Sequence, residues 1–202
     1  MICVVDYGMG NLRSVSKAIE ALGGHVTVSD KPSQLKRASK LVFPGVGEFG
    51  QAMKELERRH LIEPIQHAIQ KKKPFLGICL GLQLLFDSSE ESRGAKGLSI
   101  IPGKVCKLPR SREKLKIPHM GWNQVEFQMR SKLTRGVKNH SYFYFVHSYY
   151  GKPKNVHTIA GTTQYGIEFP AMIEREPLFA VQFHPEKSQS AGLTILKNFI
   201  SY

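Results

Sequence analysis

Cys79 is the residue of this sequence best placed to act as a nucleophile. It is the middle residue of Gly77-Ile78-Cys79-Leu80-Gly81, where an apolar run typical of a buried strand (75–78) meets a Leu-rich run that predicts a helix from Leu82 to Phe86. Flanking glycines permit the sharp strand-to-helix turn of a nucleophile elbow. The free N–H groups of the next helix would favour a thiolate. The string alone fits a buried structural cysteine equally well.

His184 and Glu186 are the candidates for a base and the group that orients it. They belong to Phe183-His184-Pro185-Glu186, which follows the apolar run 178–183. A cysteine nucleophile needs a base, and the base needs an orienting partner. Because parallel sheets place their ligand crevice at the carboxyl ends of strands, His184 is expected at the rim where Cys79 also lies. The sequence therefore predicts a Cys79–His184–Glu186 triad.

A glycine-rich loop is the candidate for the oxyanion hole that attack on a carboxamide requires. The N–H of Leu80, directly after the nucleophile, would be one donor. Pro44-Gly45-Val46-Gly47 follows another apolar run, 41–43, and its flexible backbone would supply the second donor. Taken alone, this loop would be an ordinary strand-to-helix turn.

The elements that must position these residues alternate along the first half of the chain. Apolar runs at 2–5, 25–29, 41–43 and 75–78 predict strands, and helical spacing of apolar residues predicts helices between them. This rhythm predicts a mainly parallel sheet covered on both faces. Later segments are shorter, with Gly or Pro between many of them, and predict antiparallel hairpins. We expect one α/β domain over residues 1–202, with a mixed, mainly parallel sheet flanked by helices. The later predicted segments are strands at 105–108, 125–127, 142–150, 158–163 and 178–183 and a helix at 193–200.

Composition narrows the class of protein. The chain has 202 residues, 41% apolar and 22% charged, which is ordinary for a globular protein. No basic leader or long apolar run is evident, so we expect a cytoplasmic protein that does not enter a membrane. Three widely spaced cysteines suggest neither disulfides nor a metal site. The formal charge of +13 is spread along the chain, which favours an acidic protein surface over nucleic acid as partner.

These motifs resemble those of the class I (triad) glutamine amidotransferases, a flavodoxin-like α/β family. The resemblance runs through GMGN at 8–11, PGVG at 44–47, GICLGLQ at 77–83, PHMGWN at 118–123, YFVHSY at 144–149 and HPEKS at 184–188. It implies a glutaminase that forms a glutamyl thioester, needs no metal or organic cofactor, and passes ammonia to a separate (β/α)8-barrel cyclase subunit.

The resemblance also implies roles for individual residues. Cys79, His184 and Glu186 would be catalytic, and Leu80, Val46 and Gly47 would form the oxyanion hole. Glutamine would be held by Gly45, Gln83, Ser148 and Tyr149. The surface toward the cyclase would include Asn11, Trp122, Tyr144 and Lys187.

Three alternatives remain open from the sequence. The same glutaminase could feed another synthase, such as one that amidates a surface-polysaccharide sugar. A stand-alone hydrolase of γ-glutamyl peptides is disfavoured by Gln83 and by the YFVHSY segment. A basic nucleic-acid-binding protein with a vestigial triad is the third. His119 and His147 are assigned no catalytic role.

Overall fold

Twelve strands and six helices form the described part of the chain. The computed structural model describes residues 1–109 and 115–202. The strands are β1 (Ile2–Val5), β2 (Val26–Ser29), β3 (Lys40–Gly45), β4 (Phe75–Cys79), β5 (Phe86–Ser89), β6 (Ile101–Lys107), β7 (His119–Phe127), β8 (Ser141–His147), β9 (Tyr149–Pro153), β10 (Ile159–Tyr165), β11 (Ile167–Arg175) and β12 (Leu178–Val181). The helices are α1 (Leu12–Ala21), α2 (Pro32–Arg37), α3 (Phe49–Arg58), α4 (Ile62–Gln70), α5 (Leu80–Gln83) and α6 (Gln189–Ser201).

Nine strands form one large mixed sheet in the order β2-β1-β3-β4-β12-β11-β10-β7-β8. The pairings from β2 to β12 are parallel, and those from β12 to β8 are antiparallel. The mixed α/β fold is therefore confirmed. The expectation of a mainly parallel sheet holds only for its first half, because the other half is built from antiparallel pairs of β7, β8, β10, β11 and β12. A small sheet, β5-β6-β9, lies beside it.

The parallel half of the sheet is buried because helices cover both of its faces. Side chains alternate along β1, so that Val4 packs with α1 and α6 while Val5 packs with α2, α3 and α4. The first helix begins with a cap, since Asn11 Oδ1 accepts a hydrogen bond from the Ser14 N–H at 3.3 Å. Within the described residues, no helix is long and apolar enough to cross a membrane.

Two predicted segments differ from the structure. The helix expected over Leu82–Phe86 is the single turn α5, and Phe86 instead begins β5. Leu84 and Leu85 are fully buried between those two elements, which explains an apolar run that resembles a helix. The strand expected over 142–150 is two strands, because the chain leaves the large sheet at Ser148 and continues in the small one as β9.

Candidate active site

Cys79 lies in a strained turn at the end of β4. Its φ of 54° and ψ of −108° are rare for a residue with a side chain. The turn is possible because two glycines approach closely. A Cβ on Gly81 would overlap the carbonyl oxygen of Phe43, and a Cβ on Gly77 would lie 3.0 Å from the Gly81 carbonyl oxygen. The elbow predicted from the sequence is present.

His184 follows β12, the strand that pairs directly with β4. Their parallel register matches Val181 with Ile78, so the chain leaves both strands at the same rim of the sheet. His184 Nδ1 lies 2.8 Å from Glu186 Oε1, and the two side chains are 3% and 1% exposed. The structure thus brings Cys79, from the first half of the chain, next to the His184–Glu186 pair near its end.

The imidazole of His184 is held in an environment that favours its protonated form. Burial lowers the pKa of His184, but the hydrogen bonding and charge of Cys79, followed by those of Glu186, outweigh burial and raise the pKa to about 10. Nε2 is buried and makes no hydrogen bond of ordinary geometry to any described residue. The ring is therefore fixed at Nδ1 and available for chemistry at Nε2.

A cavity of about 280 Å³ opens beside the Cys79 sulfur. It collects most of the predicted oxyanion and substrate residues from loops that are distant in sequence. Gly45 is not among the residues that line it, although it pairs in register with Cys79, which does. The lining residues are Val46, Gly47, Cys79, Leu80, Gln83, Glu91, Pro118, Val146, His147, Ser148 and Tyr149.

Three of the four predicted partner-facing residues lie side by side. The Trp122 and Tyr144 rings are 6.0 Å apart, and Lys187 Nζ lies 5.7 Å from the Tyr144 ring centroid. The fourth, Asn11, is partly exposed and caps α1. The Tyr144 backbone is bonded to the triad, because its carbonyl oxygen accepts a hydrogen bond from the His184 N–H at 2.9 Å.

Two polar residues at the site were not predicted from the sequence. Glu91 lines the cavity, and its carboxylate accepts a hydrogen bond from the Phe49 N–H at 2.8 Å. Gln182 is fully buried on the strand side of His184, and its Nε2 lies 3.7 Å from Cys79 Sγ. An amide within the apolar run Phe179-Ala180-Val181 to Phe183 was an available signal for Gln182. Glu91 gave none, since it lies in an acidic, Ser-rich loop.

His119 and His147 form a buried hydrogen-bonded pair beside the cavity. His147 Nδ1 donates to the Tyr149 carbonyl oxygen at 2.9 Å, which leaves His147 Nε2 to accept from His119 Nδ1 at 3.1 Å. Burial lowers the pKa of His119 to about 4 and that of His147 to about 3. Both rings are therefore neutral at pH 7. Among the described residues, no group of three or more His, Cys, Asp or Glu side chains is arranged so that it could hold a metal ion.

Comparison with known proteins agrees with this geometry. Residues 3–201 match the family described as "Glutamine amidotransferase class-I". The chain is 50% identical to "Imidazole glycerol phosphate synthase subunit HisH" of Moorella thermoacetica over 98% of this chain and 93% of that protein. It is also 50% identical to the protein of that name from Chlorobaculum tepidum over 100% of both. A solved structure of a glutamine amidotransferase has a TM-score of 0.76 over 100% of both chains at 15% identity. This chain belongs to the class-I glutamine amidotransferase family.

Proposed function

We propose that this chain is the glutaminase subunit of an imidazole glycerol phosphate synthase. The observation that carries the proposal is the placement of Cys79 at a strained elbow beside a buried His184–Glu186 pair. Relatives that are half identical over nearly the whole chain are named as HisH subunits of that synthase. The reaction assigned to this subunit is hydrolysis of glutamine to glutamate and ammonia.

Acylation would begin with attack of the Cys79 thiolate on the γ-carboxamide carbon of glutamine. The protonated imidazole of His184 favours the thiolate as its neighbour and carries the proton that the leaving nitrogen needs. Transfer of that proton expels ammonia and leaves a glutamyl thioester on the sulfur. His184, now neutral at Nε2, then takes a proton from water, which attacks the thioester and releases glutamate.

The negative charge that develops on the carbonyl oxygen needs donors already in place. The Leu80 N–H follows the nucleophile directly, and Val46 and Gly47 line the same cavity. Removal of one such donor in other acyl-transfer enzymes costs about 10²- to 10³-fold in rate. We therefore assign the oxyanion hole to these three residues.

Glu91 gives the cavity a charge that suits the α-ammonium group of glutamine. Burial raises the pKa of Glu91 above its ordinary value; the hydrogen bond from the Phe49 N–H opposes this shift, and the charge of Glu48 adds to it. An ammonium group close by would favour the ionised carboxylate further. Gln83, Ser148 and Tyr149 line the rest of the cavity and are assigned to glutamine binding, together with Gly45 at the end of β3.

The partner would be a HisF-like (β/α)8-barrel cyclase subunit, joined to this chain as a cytoplasmic heterodimer in histidine biosynthesis. Ammonia is mostly protonated at pH 7 and then no nucleophile, so a partner docked over the site would receive it unprotonated. The cyclase would use it to convert phosphoribulosyl-formimino-AICAR phosphate into imidazole glycerol phosphate and AICAR. Asn11, Trp122, Tyr144 and Lys187 are assigned to the contact surface.

The test is to assay the chain with and without the cyclase subunit. We expect slow glutamine hydrolysis by the chain alone and strong stimulation in the complex with cyclase ligand present. Cys79→Ser should reduce glutamine-dependent synthesis by at least about 10³-fold, because the nucleophile is lost. Synthesis from added ammonia should continue at the parental rate, which shows that the complex is intact.

Two results would contradict the proposal. Glutamine-dependent synthesis at the parental rate by the Cys79→Ser complex would exclude Cys79 as the nucleophile. Isolation of the native complex with a synthase other than a barrel cyclase would replace the histidine pathway with another pathway for the same glutaminase.

A further inference from the structure

Gln182 is a buried polar side chain that the proposed mechanism does not use. It lies between β12 and His184 and is 0% exposed. A buried amide must find partners for both its donors and its acceptor, because each unpaired group costs free energy. Gln182 Nε2 reaches Cys79 Sγ at 3.7 Å, within hydrogen-bonding distance for sulfur, and Oε1 lies 3.2 Å from Gln83 Nε2.

The orientation of the Gln182 amide follows from a backbone carbonyl, which can only accept. Gln83 Nε2 donates to the Tyr149 carbonyl oxygen at 2.8 Å, so this atom of Gln83 must be the nitrogen. Its second hydrogen points to Gln182, where only the oxygen can accept. The remaining atom of Gln182, beside the sulfur, is therefore the NH₂ group. Gln182 presents a donor to Cys79.

The Cys79 sulfur has a different neighbour for each of its protonation states. The Val146 carbonyl oxygen lies 3.9 Å from Sγ and accepts from the thiol. A thiolate has no hydrogen to give to that oxygen, but it accepts hydrogen bonds. The amide of Gln182 is placed as a donor to it, and the protonated ring of His184 can become a second donor through Nε2. Gln182 thus interacts more strongly with the reactive form than with the resting thiol.

We propose that Gln182 is a further catalytic residue, a neutral donor that stabilises the Cys79 thiolate and connects it to Gln83. The proposal rests on the assigned role of Cys79 as nucleophile in glutamine hydrolysis. Because Gln83 lines the cavity, the same amide pair joins the nucleophile to the residue assigned to glutamine. Gln182 is fully buried and does not line the cavity, so it contacts the sulfur from within the core.

The test compares two substitutions that separate the donor from the acceptor. Gln182→Met removes both, whereas Gln182→Glu keeps an oxygen for Gln83 and replaces the NH₂ beside the sulfur. Gln66→Met is the matched control, since the partly buried Gln66 side chain also donates a hydrogen bond, to the Leu98 carbonyl oxygen at 3.2 Å. The first readout is the rate at which iodoacetamide alkylates Cys79 in the chain alone, measured by peptide mass spectrometry at pH 7.5.

We expect alkylation of Cys79 to slow about tenfold in Gln182→Met, because a hydrogen bond to a charged group is lost. It should slow at least as much in Gln182→Glu, because a carboxylate beside the sulfur also repels the thiolate. The Gln66→Met rate should stay within about twofold of the parent. In the complex with the cyclase, Gln182→Glu should lower kcat about tenfold while KM for glutamine stays within about twofold. A residue that merely supports Gln83 would leave the alkylation rate of Cys79 at the parental value in Gln182→Met and would change KM rather than kcat.

Parental alkylation rates in the Gln182 variants would overturn the proposal. If Gln182→Met does not fold, as judged by its melting transition, the second neutral variant Gln182→Leu takes its place. Alkylation needs neither glutamine nor a partner. Absence of glutaminase activity in the parental complex would therefore contradict the proposed function, while the alkylation rates would still decide whether Gln182 donates to the sulfur.

Discussion

Glu186 binds His184 through one carboxylate oxygen and leaves the other, Oε2, buried without a hydrogen-bond partner among the described residues. Burial of an unpaired carboxylate oxygen costs free energy, and this cost is offset only where the negative charge interacts favourably with a neighbouring group. We infer that the charge balances the protonated ring of His184, whose pKa it helps to raise. Orientation alone would not require an anion, because an amide oxygen also accepts from Nδ1.

Glu186→Gln should therefore lower kcat/KM for glutamine by about 10² to 10⁴, by analogy with triads whose carboxylate is replaced. Without the carboxylate the pKa of His184 falls, so the ring loses its proton at lower pH. The alkaline limb of the kcat/KM profile should move to lower pH. Profiles of kcat/KM from pH 6 to 10 check both effects.

Glu174→Gln is the matched control for Glu186→Gln, since Glu174 Oε2 is also buried and has no partner in the described ranges. Glu174 lies on β11 and does not line the cavity. Its variant should keep the parental kcat/KM and pH profile. Equal losses in the two variants would mean that any buried carboxylate matters and would contradict a specific role for Glu186.

Glu91→Gln should raise KM for glutamine about 10- to 100-fold and leave kcat nearly unchanged, because an ion pair with the α-ammonium group is lost in ground state and transition state alike. Steady-state kinetics of the complex measure both constants. Glu90→Gln is the control, because the neighbouring Glu90 carboxylate binds Lys104 Nζ and the Lys107 N–H instead. A parental KM in Glu91→Gln would remove Glu91 from glutamine recognition.

At the residue scale, the sequence predicted the reactive residues that stand in short, recognisable sequence motifs. Two such motifs are Cys79 between two glycines and His184 two residues before Glu186. Glu91 was missed because its position depends on how the 90–100 loop folds over the cavity. The orientation of Gln182 depends on Gln83 and Tyr149, which lie far away in the sequence.

The neighbouring strands β7 and β8 contribute a histidine each to one hydrogen-bonded pair, and this pair makes the fold sensitive to acid. His119 and His147 are neutral in the fold, with lowered pKa values of about 4 and about 3. In the unfolded chain each takes up a proton near pH 6.5. Below that pH the unfolded state binds more protons, so stability falls as the pH drops from about 6.5 to about 4.

We expect the free energy of unfolding in urea to be roughly 2 to 4 kcal/mol lower at pH 5 than at pH 7. The estimate follows because pH 5 lies about 1.5 units below the ordinary pKa of each of the two histidines. The raised pKa of His184 acts in the opposite direction. Its contribution is complete below about pH 6.5 and is lost as the pH rises toward about 10. The fold should therefore be most stable near neutral pH.

His119→Phe tests this origin of the acid sensitivity. The His119 ring stacks between Phe145 and Tyr165, at centroid distances of 4.7 and 4.0 Å, so an aromatic replacement fits the same space. The variant loses stability at both pH values, but its difference between pH 7 and pH 5 should be about half the parental one. His157→Phe, at an exposed position, should keep the full difference.

At the element scale, periodicity predicted the parallel half of the fold and failed where strands are irregular. No strand was expected over 167–175, because Pro170 interrupts an otherwise strand-like run; the residue nevertheless lies within β11. The helix α2 was missed because it has six residues and one buried side chain, Leu35. Short elements carry too few residues for a period to be visible.

At the scale of the whole molecule, the exposed aromatic surface around Trp122 is the proposed contact with the cyclase. Trp122 is 46% exposed, and Met120 and Tyr142 nearby on β7 and β8 are 62% and 56% exposed. Trp122→Ala should weaken the complex about 10- to 100-fold, since large aromatic side chains dominate binding energy at interfaces. Titration calorimetry against the cyclase measures this change.

Val156→Ala is the control for that surface, because Val156 is 63% exposed in a turn away from β7 and β8. It should leave the affinity unchanged. Equal affinities of the Trp122→Ala variant and the parent for the cyclase would show that the interface lies elsewhere. The net charge of +13 is distributed over the chain and did not reveal this surface from the sequence. The resemblance to the class I glutamine amidotransferases indicated this surface instead.

The position of β12 in the centre of the sheet has a consequence for the order in which activity arises during synthesis. The ribosome makes the nucleophile early, but the strand that brings Gln182 and His184 beside it is made near the end. A growing chain therefore carries an unactivated thiol until β12 inserts between β4 and β11. With the proposed roles of Cys79 and His184, hydrolysis of glutamine is expected only after the sheet is complete.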